Sequence, residues 1–417
     1  MGEHFDPLET RDPEARERAL FAALPAQVAY AKAHSSAYAQ LLRDIEPSDI
    51  TTRGVLASLP VVRKSELVDL QKASLPFGGF AISGWGDAAR RARRVYASPG
   101  PLYEPEGAVE DYWRLARALF AAGFRAGDLV HNCFSYHLTP GGAMLEGGAQ
   151  AIGCTVCRGG TGQTEQQVQA MRDLGADGYV GTPSFLRIIL DKAAEQGVAL
   201  PRLRKALFSG EPFPASMRDA LRDRGIDAYQ VYATADVGSI AYESAAREGL
   251  IVDEGVIVEI VRPGTADPVA SGEVGEVVVT QLANADYPLL RFGTGDLSAV
   301  LPGISPCGRT NLRIKGWMGR ADQTAKVKGM FVHPSQIAEV LRRHPEIVRA
   351  RLVVDNPEGV DRMTLHAEVR DAAGAASSSG AIIASVRDIT KLRGDVAFHE
   401  AGVLANDGKI IDDLRKI

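Results

Sequence analysis

The chain has no run of about 20 apolar residues, the length that a membrane-spanning helix requires. Its first residues, MGEHFDPLETRDPE, are acidic and lack the apolar core of a signal peptide. Four cysteines in 417 residues are too few for a disulfide framework, which suits a reducing compartment. We therefore expect a cytoplasmic protein that has no contact with a membrane.

An excess of charge of one sign is also missing. The 47 Lys and Arg residues against 52 Asp and Glu residues give a formal net charge of −5. No general attraction to nucleic acid or to an anionic membrane is expected from this balance. The dense basic cluster RRARR at positions 90–94 is interpreted as solvated surface.

Spacings typical of metal ligands are scarce. Cys154 and Cys157 are spaced as CxxC inside the apolar run AIGCTVC, but no second CxxC and no HxxxH follows. We interpret this run as a buried strand. Cys307 and His333 form no ligand pair that the spacing supports, and both are interpreted as structural.

What the chain does have is the composition of a globular protein, with 45% apolar and 24% charged residues. Its length favours two domains of unequal size. Segment 12–45 has helical spacing, and from residue 108 to 234 helical and strand patterns alternate, beginning with an amphipathic helix at 108–123. This alternation indicates parallel sheets flanked by helices.

The composition then changes to strands and Gly/Pro turns between residues 250 and 301, followed by a compact α+β region. We predict an α/β fold: a large N-terminal domain of parallel sheets with flanking helices plus a β-rich subdomain, and a small α+β C-terminal domain. The predicted boundaries are 1–322 and 323–417.

Two short motifs suggest nucleoside binding. RFGTGDL (291–297) places Asp296 after a Gly-rich turn, where a carboxylate can accept both hydroxyls of a ribose. For this string alone an ordinary β-turn aspartate is an equally good interpretation. GRADQ (319–323) supplies Arg320, whose guanidinium can donate several hydrogen bonds, and the pair favours the functional interpretation.

Several longer stretches, in order over about 300 residues, resemble one family. They are YHLTPGGAMLEGGAQAIGCTV, GGTGQTEQQVQAMRDLGAD, GTPSF, LFSGEPFP, YQVYATADVG, YPLLRFGTGDL, GRADQTAKVKGMFVHPSQIAEVL and the terminal GKI. The chain resembles the adenylate-forming acyl-CoA synthetase superfamily, in its phenylacetate–CoA ligase branch, from about residue 90 to the C-terminus. The resemblance implies ATP or AMP binding, Mg²⁺, an acyl-adenylate and a mobile C-terminal lid.

The resemblance also assigns residues. It implies that segment 209–212 lines the adenine, that Tyr232 stacks near it, and that Asp296 and Arg320 bind the ribose. The implied nucleotide-binding set is Ser98, Gly100, Ser209, Gly210, Glu211, Pro212, Tyr232, Asp296 and Arg320. The implied substrate pocket is Tyr136, His137, Gly141, Gly142 and Ala233.

Three further positions carry roles in the resemblance. Asp236 matches the acid that holds Mg²⁺, although it is shorter than the usual glutamate. Lys409 matches the C-terminal lysine that bridges carboxylate and phosphate during adenylation, and Asp322 matches the hinge between the domains. Many relatives carry a Cys/His cluster near residues 241–254, but this segment has neither residue, so no structural zinc is predicted.

The phosphate-binding loop departs from the family pattern ASSGTTGKP, because residues 97–105 read ASPGPLYEP. Pro99 and Pro101 each remove a backbone N–H that could bind a phosphate oxygen. Glu104 stands where the family has lysine, a reversal of two charge units. A unit charge ~4 Å from a phosphate is worth ~4 kcal/mol at an effective dielectric of ~20, so this change opposes triphosphate binding.

Two hypotheses follow. The chain is either a working ligase for a small aromatic carboxylic acid, with help from Arg93 or Arg94 at the pyrophosphate, or a homologue without ATP-dependent ligase activity. The second would bind AMP, an acyl-adenylate or an acyl thioester as a transferase or accessory protein. The acceptor is coenzyme A or a carrier-protein thiol. His137 stands where relatives carry glycine and would narrow or polarise the pocket; a homodimer is expected by analogy.

Overall fold

The structure is a computed structural model that describes residues 3–86, 88, 90–98, 101–327, 330–356, 361–370, 378–405 and 409–415. For residues 322, 326 and 331 it describes the backbone alone. The chain divides into two compact units. The first consists of Met1–Arg262, Ala266–Thr294 and Ala299–Trp317, and the second of Pro263–Thr265, Gly295–Ser298 and Met318–Ile417.

The first unit contains helices of very different length. They are α1 (Pro13–His34), α2 (Ser36–Leu41), α3 (Arg53–Ala57), α4 (Lys64–Ala73), α5 (Ala116–Ala121), α6 (Gly141–Ala151), α7 (Thr164–Leu174), α8 (Pro183–Glu195) and α9 (Ala215–Asp223). Two short 3₁₀ helices are also present: Pro7–Thr10 before α1, and Pro47–Asp49 between α2 and α3. The helical region predicted at 12–45 is divided at Ser35, whose hydroxyl accepts a hydrogen bond from the Tyr38 N–H and caps α2.

The helix predicted at 108–123 is much shorter than expected, because only Ala116–Ala121 is helical. Asp111 and Arg114 have positive φ angles of 45° and 59°, which an α-helix does not allow. The Asp111 carboxylate instead accepts hydrogen bonds from the N–H groups of Leu115 and Ala116 at 2.8 and 3.0 Å. The prediction of one continuous helix was therefore wrong, because this local cap competes with the helix.

Among the described residues, seventeen strands lie wholly or partly in the first unit. They are β1 (Val62–Arg63), β2 (Ser83–Gly84), β3 (Arg90–Arg91), β4 (Arg94–Ser98), β5 (Leu102–Glu106), β6 (Leu129–Asn132), β7 (Thr155–Arg158), β8 (Gly178–Gly181), β9 (Lys205–Phe208), β10 (Asp227–Thr234), β11 (Gly238–Glu243), β12 (Leu250–Val252), β13 (Val256–Val261), β14 (Gly275–Gln281), β15 (Phe292–Ser298), β16 (Val300–Leu301) and β17 (Arg313–Ile314).

The main sheet has nine strands in the order β16-β17-β12-β11-β10-β9-β8-β6-β7. Its half from β7 to β10 is parallel, as the alternating pattern predicts. Beyond β10 the pairing becomes antiparallel. A second sheet, β1-β15-β14-β13, holds the remaining long β-rich segments. The predicted α/β class with a β-rich addition is confirmed.

The core of the first unit is apolar but contains one fully buried arginine. Arg291 is 0% exposed, and its guanidinium pairs with Glu259 at 3.0 Å and donates to the carbonyl of Ala266 at 2.8 Å. It also donates to the carbonyls of Ala57 and Leu59. These contacts connect Arg291, the first residue of RFGTGDL, to the end of α3 and to β13.

The described residues of the second unit form a four-stranded sheet, two α-helices and a small hairpin. Its elements are β18 (Ala325–Val327), β19 (Met330–Val332), α10 (Pro334–Arg343), β20 (Ile347–Asp355), β21 (Arg362–Val369), α11 (Ser379–Thr390), β22 (Asp395–Glu400) and β23 (Ile411–Asp413), after a 3₁₀ helix at Ala321–Gln323. The sheet order is β22-β21-β20-β23. Apolar residues of both helices and all four strands form its core. Within the described part of the chain, no helix is long and apolar enough to span a membrane.

Candidate functional site

Several predicted site segments follow the carboxyl ends of neighbouring parallel strands. Ser209 comes directly after β9, and Asp236 follows β10 two residues after its end. The carboxyl ends of parallel strands are where α/β folds place their ligands. The sheet therefore brings the predicted adenine-lining segment and the predicted metal-binding acid to one edge.

The segment from Ser209 to Pro212 is a turn that reaches the surface. Ser209 is half-buried and the other three residues are exposed; Gly210 has φ 81°, a conformation suited to glycine. The Glu211 carboxylate accepts a hydrogen bond from the Ser184 hydroxyl at 2.9 Å, close to the start of α8. The turn is thus held by α8 and leaves its backbone accessible.

The predicted aromatic residue of the site, Tyr232, lies on β10 and is half-buried. Its hydroxyl donates to Thr294 Oγ1 at 3.1 Å, and that oxygen in turn lies 3.1 Å from the Val277 carbonyl. A bulge separates Tyr232 from Ala233 in the pairing with β11. The hydroxyl contact orients the ring, and the bulge changes the direction in which the following side chains point.

The altered phosphate loop lies in a hairpin of β4 and β5. Ser98, at the end of β4, donates from its hydroxyl to Glu104 Oε1 at 2.5 Å. The hairpin is fastened at its base, where Tyr96 and Arg94 bind Glu106 at 2.8 and 2.9 Å. Gly100, predicted to bind the nucleotide, lies outside the described residues, as does Pro99.

Glu104 does not behave as the exposed anion that the sequence suggests. Its residue exposure is 1%, and burial, followed by the charge of Asp236, raises the pKa of its carboxyl group to about 8. The folded protein therefore holds this proton more tightly than an exposed glutamate would. The expected repulsion of ~4 kcal/mol assumed a fully ionised carboxylate at this position, and burial opposes that ionisation.

A lysine that the sequence motifs did not indicate lies at the predicted metal-binding acid. Lys64 Nζ, at the start of α4, is 2.6 Å from Asp236 Oδ2. The Asp236 side chain is fully buried, whereas the Lys64 side chain is 25% exposed. Lys64 is separated from Asp236 by 172 positions, so only the fold reveals the pair.

The predicted substrate-pocket residue Tyr136 packs on a glycine. A Cβ atom placed on Gly142 would come within 2.8 Å of the Tyr136 ring, so the ring needs the glycine. The hydroxyl of Tyr136 donates to Glu146 Oε2 at 3.0 Å and accepts from Asn132 Nδ2 at 2.9 Å. Gly142 is buried, Gly141 half-buried and His137 exposed.

Glu146 fixes the position of the Tyr136 hydroxyl. Burial opposes its ionisation, but hydrogen bonds from Arg158 and Tyr136 and the Arg158 charge hold the pKa of Glu146 below its usual range. Arg158 Nε lies 2.7 Å from Glu146 Oε2. The surroundings of Tyr136 therefore include a charged pair, Glu146 with Arg158.

In the second unit, Asp296 and Arg320 lie side by side. Arg320 Nη1 is 3.3 Å from Asp296 Oδ1, and the two residues form an isolated antiparallel bridge. Gly295 has a φ angle of 75°, a conformation that favours glycine, and a Cβ atom there would lie 2.8 Å from Arg320 Nη2. The structure thus brings the two residues of the predicted ribose pair together.

Lys409 is 53% exposed, and its Nζ lies 3.0 Å from Asp412 Oδ1. The next residue, Ile410, donates its N–H to Gln323 Oε1 at 2.8 Å, which connects the lysine segment to the 3₁₀ helix that contains Asp322. Of Asp322 the structure describes the backbone alone. Its hinge role stays a prediction.

Asp236 also offers a carboxylate oxygen to the predicted Mg²⁺ site. Its Oδ1 atom is buried and has no hydrogen-bond partner among the described residues, and a carboxylate oxygen is the ligand type that Mg²⁺ prefers. Across the described ranges, no group of three or more His, Cys, Asp or Glu residues is placed to hold a metal. The four cysteines are free, with Cys133 and Cys154 buried.

The fold and the segments at the carboxyl edge of the sheet are those of AMP-binding, adenylate-forming enzymes. The family described as AMP-binding enzyme matches residues 129–285. Phenylacetate–coenzyme A ligase of Aromatoleum evansii is 31% identical over 342 residues, covering 78% of this chain and 75% of the relative. The Thermus thermophilus phenylacetate–coenzyme A ligase is 31% identical over 363 residues, covering 82% and 79%.

The chain therefore belongs to the phenylacetate–CoA ligase family of AMP-forming acid–CoA ligases. An open conformation of 2-hydroxyisobutyryl-CoA ligase, solved with 2-HIB-AMP and CoA, has the same fold with a TM-score of 0.84. It shares 22% sequence identity over 98% of this chain and 94% of that structure.

Proposed function

We propose that the protein activates a small aromatic carboxylic acid as an acyl-adenylate and then transfers the acyl group to coenzyme A. The observation that carries the proposal is the position of Glu104, which is buried and bound to Ser98 and whose pKa is raised by burial. Burial of this carboxyl group opposes its ionisation and so weakens the main sequence argument against triphosphate binding. Lys64 in addition places an ammonium group at Asp236.

The reaction needs two displacements. The substrate carboxylate attacks the α-phosphorus of ATP and pyrophosphate leaves; the thiolate of the acceptor then attacks the acyl carbonyl and AMP leaves. Negative charge grows on the phosphoryl oxygens in the first step, so cations that face them accelerate it. We assign Lys409 to that role and Asp296 with Arg320 to the ribose hydroxyls. Mg²⁺ held by Asp236 would neutralise phosphate charge.

The proposed substrate class rests on the pocket wall and on the relatives. The Tyr136 ring packs against Gly142, and the relatives above are named as phenylacetate–CoA ligases. The ionised Glu146 and the exposed His137 favour an aromatic acid with a polar substituent over an unsubstituted hydrocarbon ring. Coenzyme A is the proposed acceptor, and a carrier-protein thiol is the alternative that the assay includes.

Pyrophosphate exchange tests the proposal. The protein is incubated with ATP, Mg²⁺, labelled pyrophosphate and a panel of aryl, arylacetic and short aliphatic acids, and label in ATP is measured. We expect exchange that depends on an aryl acid and AMP release that depends on coenzyme A. Absence of exchange with every acid, together with no ATP binding by calorimetry, would favour instead a homologue that does not adenylate.

A matched pair of variants identifies the pocket. Tyr136→Phe keeps the ring against Gly142 but removes the hydroxyl that binds Glu146, so it should keep activity with unsubstituted aryl acids. Gly142→Ala places a methyl group within 2.8 Å of the ring position and should lower exchange with every aryl acid. Equal exchange by Gly142→Ala and the unaltered protein would show that the acid binds elsewhere.

A further inference from the structure

One of the two inner strands of the sheet in the second unit, β20, alternates between apolar and charged residues. Ala350, Leu352 and Val354 belong to the apolar core of the unit. Arg349 and Arg351 alternate with them and are half-buried. Because successive side chains of a strand point to opposite faces of the sheet, both arginines lie on the face away from that core. Neither arginine has a role in the proposed function.

The backbone of Leu404 is held at both of its polar groups on this face. Arg349 stands opposite Glu368 in the antiparallel pairing of β20 with β21. Arg349 Nη1 donates to the Leu404 carbonyl at 2.9 Å, and the Leu404 N–H donates to Glu368 Oε1 at 2.6 Å. The bond from Leu404 holds the pKa of Glu368 below its usual range. Glu368 is therefore ionised at pH 7, and its hydrogen bond is charge-assisted.

Arg351 contacts the chain on both sides of Lys409. Its Nη2 donates to the Ala405 carbonyl at 3.0 Å, and its Nη1 lies 3.6 Å from Asp412 Oδ2. Asp412 Oδ1 in turn lies 3.0 Å from Lys409 Nζ. Ile410, the residue after the lysine, is held as well, because its carbonyl accepts a hydrogen bond from the backbone of β20 at 2.9 Å. Arg351 thus ties together the segments before and after Lys409.

We propose that Arg349, Arg351 and Glu368 are positioning residues for the first step of the reaction: they fix the backbone around Lys409, so that its ammonium group meets the phosphoryl oxygens in a set orientation. The inference rests on the role assigned to Lys409 in the proposed function and deepens it. A segment that is already fixed in the folded protein loses less conformational entropy when the lysine binds the phosphoryl group. A charge held in place before the reaction also stabilises the developing negative charge without reorganisation.

Comparison of the two half-reactions in the full-length protein tests the inference. Pyrophosphate exchange reports the first step, in which Lys409 acts. Transfer of the acyl group to coenzyme A from a supplied adenylate, made from the aryl acid that gives the fastest exchange, reports the second step, in which Lys409 has no assigned role. We expect Arg351→Met and Glu368→Ala each to lower pyrophosphate exchange at least tenfold and to leave acyl transfer within twofold.

A conservative variant and a control separate positioning from loss of structure. Glu368→Gln keeps an oxygen that can accept from the Leu404 N–H, so its pyrophosphate exchange should stay within threefold of the unaltered protein. Arg362→Met removes an equal charge from β21, where Arg362 pairs with Asp355 at 2.6 Å, and both of its half-reactions should stay within twofold. If Glu368→Ala folds poorly, Arg351→Met carries the same test.

Hydrogen exchange followed by mass spectrometry measures the positioning directly. The peptide that contains Leu404 should take up deuterium at least tenfold faster in Glu368→Ala than in the unaltered protein or in Arg362→Met. Unchanged deuterium uptake, or equal loss of both half-reactions in a folded variant, would overturn the inference. Pyrophosphate exchange that is present in the unaltered protein and unchanged in Arg351→Met and Glu368→Ala would overturn the inference alone. Absence of exchange in the unaltered protein would overturn the proposed function and the inference with it.

Discussion

Replacement of Glu104 by glutamine should make the protein more stable at alkaline pH. Glutamine keeps the size of the side chain and can still accept the hydrogen bond that Ser98 donates, but it cannot ionise. In the unaltered protein, ionisation of Glu104 places a charge in a site that is 1% exposed, beside Asp236. Glu104→Gln has no carboxyl group at this position and so loses no folding stability through its ionisation.

The magnitude follows from the pKa. Burial and the Asp236 charge raise the pKa of Glu104 from 4.5 to about 8, so the folded protein holds this proton more tightly than the unfolded chain does. The resulting stability is fully present below pH 4.5 and is lost as the pH rises through 8. At ~1.4 kcal/mol per pKa unit, the unaltered protein should lose about 3 kcal/mol between pH 6 and 9, and Glu104→Gln should lose none of it.

Thermal unfolding at pH 6, 7, 8 and 9, in EDTA to remove metal ions, measures the difference. A change of about 3 kcal/mol corresponds to roughly 6 °C in the unfolding temperature of a unit of this size. Glu146→Gln is the control. Glu146 has a lowered pKa, so it is ionised in the folded and the unfolded protein above pH 6. The difference in unfolding temperature between Glu146→Gln and the unaltered protein should therefore not vary with pH. If the unfolding temperatures of Glu104→Gln and of the unaltered protein change equally with pH, the reasoning is refuted.

Three further predictions concern other parts of the molecule. Arg291→Met should destabilise the first unit by about 3–5 kcal/mol because Glu259 is left buried and unpaired, and chemical denaturation should show recovery in Arg291→Met/Glu259→Met. Asp296→Asn should weaken AMP binding about 10–100-fold in calorimetry, since hydrogen bonds to a charged group are worth ~1.5–3 kcal/mol. Lys409→Ala should slow pyrophosphate exchange at least ~100-fold while AMP affinity stays within twofold; equal loss of both would contradict the assigned role.

Most of the secondary structure from β6 to α8 could be predicted, because each element has the apolar period of a strand or a helix and ends at a Gly or Pro signal. The helix at 108–123 could not. Its apolar spacing is helical, but Asp111 accepts hydrogen bonds from the N–H groups of Leu115 and Ala116, and the helix begins only at Ala116. A side chain that competes with the helix is invisible to a periodicity argument.

Part of the candidate site could likewise be predicted from the sequence, and part could not. The motifs around Ser209, Tyr232 and Asp296 have fixed order and spacing, so their association with an adenylate-forming family follows from the chain alone. Glu104 was visible as a charge reversal, but its protonation state was not. A pKa depends on burial and neighbouring charges, and these come from residues as distant in the chain as Asp236.

The sequence by itself therefore determined the family, the α/β class and the unusual loop, because these are encoded in local patterns and in motif order. The tertiary structure alone decided what the loop does electrostatically. It buries Glu104, places Ser98 on it and brings Lys64 to Asp236 across 172 positions. Charge interactions depend on distance and on exclusion of water, and both are set only when the chain has folded.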